Sequence, residues 1–344
     1  MNKNFAILFS LVFLMCSCSK ETQEVLDIGE SKPIQASAYW ELLSASIKSI
    51  AVVGDYLLVF PTGKVDVALV IDRQTGEELG KWGQFGKGPG EFKQCHFWNG
   101  PSDRDDMWIF DVGYFKLRHY STDPHDYTNI QLLEEIDFKL PSFVSEGCVL
   151  SNGYIAGSMS FSADGYTSPL VIMDKEKNIV QQVGLLPDSE HEKVKFVKNA
   201  KLVDYRTYGG RMASYGNHFV QSMSYYGYLA FFESDQDGHT KCVKEQFMEP
   251  VKYTEDNTLD IGNLKHGFIR VAMTKDYVFA GYSGLPYDEE FGVQTLLVFN
   301  HKGKLLRNYH LDHQIGHFSV SPDGKTLYAE VSDPETGIVV YHLD

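Results

Sequence analysis

Cysteine, basic residues and long apolar runs are all scarce in this chain, and each scarcity closes off a class of protein. Of five cysteines, Cys16 and Cys18 fall in the first eighteen residues. The other three, Cys95, Cys148 and Cys242, stand far apart with no C-x-x-C pair, which excludes a disulfide framework and a cysteine zinc site. Buried free thiols are the expectation. Lys and Arg number 31 against 46 Asp and Glu, a net charge of -15. That balance argues against nucleic acid, which needs clustered cations, and against charge-based attachment to an anionic membrane. The 12 histidines include no H-E-x-x-H and no tight pair at ligand spacing. No G-x-S-x-G elbow or S-x-x-K motif marks a serine nucleophile. Neither a metal nor another cofactor is expected. Convincing helical stretches are few; Val194 to Leu202 is the best, as a loop or one helical turn.

What the chain has is β-structure. Its 43% hydrophobic and 13% aromatic residues suit a globular fold with a large core. Short apolar runs alternate with polar turns. Strands are expected at Ile47–Val53, Tyr56–Phe60, Ala68–Asp72 and Glu78–Trp82, four in one unit. The unit recurs, most visibly as about four apolar residues followed by a polar turn: Leu69-Val70-Ile71-Asp72, Leu170-Val171-Ile172-Met173, Leu229-Ala230-Phe231-Phe232 and Leu296-Leu297-Val298-Phe299. Leu117-Arg118-His119-Tyr120 and the closing Ile338-Val339-Val340-Tyr341 complete six occurrences, roughly fifty to sixty residues apart, a spacing that fits propeller blades. Trp82 to Tyr120 is the most structured stretch. Four glycines and Pro89 between Gly83 and Phe92 exclude a helix interior or a central strand and make a tight crossing between blades. As a phosphate cradle this crossing is weak, because no helix follows it.

The order G-x-x-G-x-G-P-G-E-F, then a strand ending in Asp111, then Lys116-Leu117-Arg118-His119-Tyr120, resembles an NHL-type propeller repeat. Ser321-Pro322-Asp323-Gly324-Lys325 is similar to the hairpin turn of TolB-like and WD-type propellers. The resemblance to TolB-like and NHL-like six-bladed β-propeller lipoproteins of Gram-negative bacteria implies binding, scaffolding or sensing on a propeller face, and no particular reaction. The expected fold is all-β: a six-bladed β-propeller of four-stranded antiparallel blades over residues 33–344. Its last blade looks one strand short, and the strand near Ile34–Trp40 is expected to close the ring, removing an open edge.

The N-terminus reads as a targeting segment over residues 1–17. A short cationic start precedes the apolar run Phe5–Met15, which has signal-peptide length and is too short to span a bilayer as a helix. Leu14-Met15-Cys16-Ser17-Cys18 resembles a bacterial lipobox, with Cys18 the lipidated residue. Ser19 lacks the Asp that lipoprotein sorting associates with inner-membrane retention, so the expected address is the outer membrane. Residues 18–32, polar and acidic, read as a flexible tether.

Candidate site residues come from the places where strand runs break. Tyr114, Tyr166, Tyr225, Tyr226, Tyr282 and Tyr287 are expected to converge on one mouth of the propeller, with Arg118, Arg206 and Arg270 adding charge. A Tyr ring with its polar tip suits a glycan or a peptide, although ordinary packing accounts for each tyrosine taken alone. His96 and His119 flank the core of blade two, where a hydrogen-bonded or solvent-facing imidazole accounts for both. Asp235-Gln236-Asp237-Gly238 resembles part of a calcium loop, but Lys244 stands where a bidentate Glu is needed, leaving an ordinary turn. The expected function is a membrane-anchored, non-catalytic binding or scaffold module of the cell envelope. Its partners would be the membrane through the lipid anchor and a glycan, a peptide or an envelope protein. The alternative is a propeller enzyme, a carbohydrate lyase or hydrolase, working at the central mouth.

Overall fold

Turn chemistry sets the strand boundaries throughout. In a computed structural model, residues 24–42, 46–62, 66–101, 106–138, 144–159, 170–183, 209–250, 265–286, 289, 292–331 and 336–344 are described. Among the described residues there are strands and turns and no helix. Several hairpins use one device, in which an Asp or Asn closing a strand accepts hydrogen bonds from the turn's own amides and a left-handed residue ends the turn. Asp72 Oδ1 accepts from Gln74 and Thr75 at 2.8 Å, and Gly76 has φ +79°. Asn300 does the same for Lys302 and Lys304, with Gly303 at +75°. The Ser321–Lys325 turn closes through Ser321 Oγ donating to Asp323 and through Gly324 at +71°.

These turns join four-stranded blades. Blade one is β3 (Ile47–Val53), β4 (Tyr56–Pro61), β5 (Asp66–Asp72) and β6 (Glu78–Gln84). Blade two is β7 (Cys95–Trp98), β8 (Asp106–Asp111), β9 (Lys116–Asp123) and β10 (Asp126–Asp137). Blade three is β11 (Val144–Val149), β12 (Ile155–Met159), β13 (Leu170–Met173) and β14 (Ile179–Val183). Blade four is β15 (Met212–Tyr215), β16 (His218–Ser222), β17 (Tyr228–Ser234) and β18 (Thr240–Phe247). Blade five is β19 (Phe268–Met273), β20 (Val278–Tyr282), β21 (Val293–Phe299) and β22 (Leu305–Ile315). Blade six is β23 (Phe318–Val320), β24 (Thr326–Val331) and β25 (Gly337–His342). Its fourth strand comes from the N-terminus: β2 (Ala38–Glu41) pairs antiparallel with β25, from Ala38 opposite Val340 to Glu41 opposite Gly337. The first strand of each blade touches the first strand of the next, and the circuit returns from β23 to β3. The fold is therefore a six-bladed propeller closed by an N-terminal strand.

The closing segment does more than the sequence implies. β1 (Lys32–Ile34) adds a fifth, parallel strand to the outside of blade five, against β22. Before it, Val25 pairs with Phe247 at the outer edge of blade four, where the Leu26 amide donates to the Phe247 carbonyl at 2.7 Å. Leu26 and Ile28 pack on the apolar cluster between blades four and five. From Val25 onward, the stretch expected as a tether lies along the propeller rim.

Apolar clusters fill the wedges between neighbouring blades, each drawing residues from both. Cys95 and Cys148 are buried among them, as free thiols should be, whereas Cys242 is exposed. The Gly83–Phe92 crossing forms as its glycines require. Gly83 and Gly90 have φ of +69° and +81°, and a Cβ on Gly86 would lie 2.0 Å from Glu91 Oε2. Every inner strand starts on the face where such crossings arrive, and the turns between second and third strands lie on that same face. Hydrogen bonds tie them together there: Tyr114 Oη donates to Gly86 O at 2.9 Å, and the Phe268 amide donates to Met223 O at 2.9 Å.

Candidate functional site at the mouth of the axial channel

On the crossing face each inner strand carries one charged residue or histidine at, or just before, its start. Lys48 follows Ile47, His96 sits between Cys95 and Phe97, and Arg270 lies between Ile269 and Val271. Glu146, Arg211 and His317 occupy the equivalent places in blades three, four and six. The ring closure brings these six side chains to one cavity of about 260 Å3 on the axis, shared also by Gln94, Asn99, Ser49 and Ser319. The wedges on either side are filled by large apolar groups, so a polar side chain at these positions turns toward the axis.

Backbone contacts fix the ring. The Arg211 amide donates to Ser222 Oγ at 3.1 Å, and the Ser222 amide returns a bond to Arg211 O at 2.9 Å. A Cβ on Gly210 would lie 1.7 Å from the Ser222 carbonyl, so only glycine allows this approach. Glu330 on β24 is buried directly behind the ring, where its two oxygens accept the amides of Ile47 at 3.3 Å and His317 at 3.1 Å. That carboxylate therefore joins blade six to blade one and sets the orientation of His317.

The electrostatics of the cavity oppose those of the whole molecule. Three cations, Lys48, Arg211 and Arg270, face one carboxylate, Glu146, which is already paired with Arg211. Arg270 Nη2 lies 2.7 and 2.6 Å from the two ring nitrogens of His317, and a neutral imidazole offers one of them as the acceptor. Burial, then Arg270, then Arg211, push the His317 pKa far below the histidine range. Burial and the same two arginines, with Lys48, push His96 down to about 4. Burial lowers Arg211 to about 10, and burial plus the charge of Arg211 lower Arg270 well below its ordinary value. Burial raises the Glu330 carboxyl. Two polar atoms of the cavity lining have no hydrogen-bond partner among the described residues while being shielded from solvent: Arg270 Nε and His96 Nε2. A buried donor left without an acceptor costs about 1–3 kcal/mol.

Of the described residues expected at the mouth, only Arg270 is placed in this cavity. Arg118 is a structural pin inside blade two. Its Nε donates to Glu135 at 2.8 Å, its Nη1 donates to Glu91 O at 3.2 Å, and its guanidinium covers the Phe92 ring at 4.7 Å. Asp111, fully buried, accepts the amides of Lys93, Gln94, Gly113 and Tyr114 and so holds the crossing to blade two. Tyr226 is 4% exposed and, with Tyr225 packed against the same group, belongs to the core between blades three and four. Tyr282 packs between blades four and five, 5.2 Å from Phe268. Tyr114 is held to the crossing loop through its hydroxyl. These turns do share one face, but the rings of Tyr225, Tyr226 and Tyr282 pack into the wedges instead of the mouth. Tyr166, Arg206, Tyr287, Cys18 and the Val194–Leu202 stretch lie outside the described residues.

His96 and His119 do not meet: His119 stacks on Trp108 at 4.0 Å and bonds Asp106 at 2.9 Å, on the other side of blade two. Asp235, Asp237 and His239 come within metal-ligand reach of one another, all exposed. There Asp235 Oδ1 accepts the amides of Asp237 and His239, which is the hairpin device already seen at Asp72.

Comparison with known proteins agrees with this architecture. Residues 77–323 match the TolB-like 6-blade propeller-like family, and the chain belongs to that family. A protein of Bacteroides fragilis, thought to be exported, is similar in structure, with a TM-score of 0.58 at 12% identity over 93% of this chain and 97% of its own. The β-propeller domain of Cps50 (Swd1) from Myceliophteria thermophila is a looser likeness, with a TM-score of 0.43 at 13% identity over 91% of this chain and all of that one. No curated protein matches in sequence.

Proposed function

We propose that this chain is an exported, membrane-anchored binding module whose ligand seats in the axial mouth. One observation carries the reading. Six blades each contribute a polar side chain to one cavity, and two buried groups there, Arg270 Nε and His96 Nε2, lack partners among the described residues. Eight other buried polar atoms of the described residues also lack partners, so the weight falls on these two lying in one cavity beside three cations. The export and outer-membrane address rest on the lipobox-like Leu14–Cys18 segment and accord with the character attributed to the Bacteroides fragilis protein.

The enzymatic alternative has one observation in its favour, the neutral His96 and His317 beside Arg270. Glycoside hydrolysis, however, needs two carboxyls flanking the bond, and among the described residues the cavity offers Glu146 alone, tied to Arg211. Binding is the reading the chemistry favours. A thermal-shift screen of metabolites and glycans on the full-length chain in detergent tests it. A stabilising ligand whose effect disappears in Arg270→Gln supports the site, and turnover of that ligand would move the protein to the enzyme class. A ligand whose effect survives both Arg270→Gln and Lys48→Gln binds elsewhere.

A further inference from the structure

We infer that the axial cavity is an oxyanion site, taking a small carboxylate- or phosphate-bearing molecule between Lys48, Arg211 and Arg270. The inference rests on the binding reading above and adds the class of ligand. Charge is its first support. A chain of net charge -15 gathers three of its cations around one pocket on the propeller axis and lines it with one carboxylate, Glu146, with a second, Glu330, behind the ring. Like charges confined at low dielectric repel, and an incoming anion converts that repulsion to attraction.

The second support is hydrogen-bonding demand. Guanidinium and ammonium groups have only donors to offer. Among the described residues Arg270 Nε has no acceptor, and its Nη2 meets only an imidazole. Lys48 is exposed at the rim, its ammonium 5.9 Å from the Phe85 ring centre, free to turn toward an arriving ligand. A neutral sugar would bring donors and acceptors in equal measure to a site that is short of acceptors. An oxyanion brings acceptors only, in the planar or tetrahedral arrays that guanidinium groups match.

Size is the third. At about 260 Å3 the cavity falls below the range of roughly 300–1,000 Å3 that holds drug-sized ligands. A small free metabolite, or the charged end group of a larger one, fits it.

Titration calorimetry on the full-length chain in detergent, with inorganic phosphate, sulfate, succinate and glucose as separate probes, tests the inference. Phosphate or succinate should bind, more tightly at about 0.01 M than at about 0.15 M ionic strength, and which of the two is tighter assigns the head group. Lys48→Gln should weaken that binding by about ten- to a hundredfold, the worth of one charge-assisted hydrogen bond. Arg270→Gln should remove it. If Arg270→Gln does not fold, the exposed Lys48 variant decides alone. Failure of all three anions to bind overturns the oxyanion class. Glucose bound in place of the anions, and lost in Arg270→Gln, would keep the site and overturn its chemistry. Anion binding indifferent to both substitutions would overturn site and class together.

Discussion

Replacing Arg270 with methionine should make the free protein more stable and blind to its ligand. Arg270 stands on β19, with Nε unpartnered among the described residues and Nη2 against the neutral His317. Arg211 pushes against its charge, and the Glu330 carboxylate supports it. The Glu330 oxygens already accept two backbone amides. Removing an orphan buried donor recovers about 1–3 kcal/mol, and exchanging a buried charge for an apolar group of similar volume is commonly neutral or favourable by about 1–4 kcal/mol. Against this, Glu330 loses a countercharge with which it shares no direct hydrogen bond, at a cost below the roughly 3–5 kcal/mol of breaking a direct buried pair. The net expectation is a gain of about 1–2 kcal/mol. At about 2–4 °C per kcal/mol for a large domain, the Tm should rise by about 2–8 °C.

The assay is calorimetric unfolding of both proteins with and without phosphate or succinate. A melting temperature several degrees below that of the parent would show Arg270 to be one half of a structural ion pair with Glu330. The case for a ligand demand at the mouth would then collapse. A raised melting temperature with an undiminished ligand response would instead place the ligand elsewhere.

Acidification should destabilise the fold between about pH 6.5 and 4. His96 and His317 titrate below their ordinary value in the folded state, so in that window the unfolded chain binds more protons. Each contributes a slope of about 1.4 kcal/mol per pH unit. Glu330, raised by burial, opposes them above its ordinary value, and the double variant His96→Gln/His317→Gln should flatten a Tm-against-pH profile measured from 7 to 5. Deleting the closing strand β2 should expose the edge of β25 and the core side chains Ile338 and Val340 beneath it, giving aggregation on size exclusion; an unchanged melting curve would mean that the strand does not hold the ring. Tyr226→Ala should cost about 3 kcal/mol of stability, as for other large core aromatics, and leave oxyanion affinity within a factor of about two; a loss of affinity with stability intact would return Tyr226 to the site. Cys18→Ala should abolish fatty-acid labelling and release the protein from membranes, and continued labelling would move the anchor to Cys16.

The fold was legible because its signals are local. A hairpin of the Asp72-to-Gly76 or Asn300-to-Gly303 kind carries its acceptor and its left-handed residue within five positions, and a repeat of such hairpins identifies blades without any knowledge of how they pack. The Gly83–Phe92 crossing is equally self-contained. Even the missing strand of blade six could be inferred, since a count of strands shows which edge lacks a partner. Side-chain direction is a different kind of information. Tyr226 and Tyr282 lie at breaks in strand runs, as surface tyrosines do, yet their rings turn inward to fill wedges. Arg118 in β9 and Arg270 in β19 look alike in sequence, each an Arg within a strand run. Only the buried Asp111 and the neighbouring Glu135 make the first a pin.

A signal for the mouth was nevertheless present. Lys48, His96, Glu146, Arg211, Arg270 and His317 recur at intervals of 47 to 65 residues, one per blade, each at or just before the start of an innermost strand. A lone charge in a strand start reads as an edge or a loop when taken singly. Taken once per repeat in a closed ring, the same six positions must converge, because the innermost strands contact one another in cyclic order. Closure thus turns a sequence period into a spatial cluster. The chemistry of that cluster depends on six side chains that the blades' own packing does not dictate, so the scaffold can keep its wedges and turns while its mouth takes on a different ligand. What distinguishes this mouth is the imbalance between its three cations and its single, already paired carboxylate. Such an imbalance is costly to bury: the Arg211–Glu146 pair and the Arg270–His317 contact bridge neighbouring blades, but neither bridge requires an excess of positive charge. A charge excess that the architecture does not need is best accounted for by something that enters the channel and neutralises it.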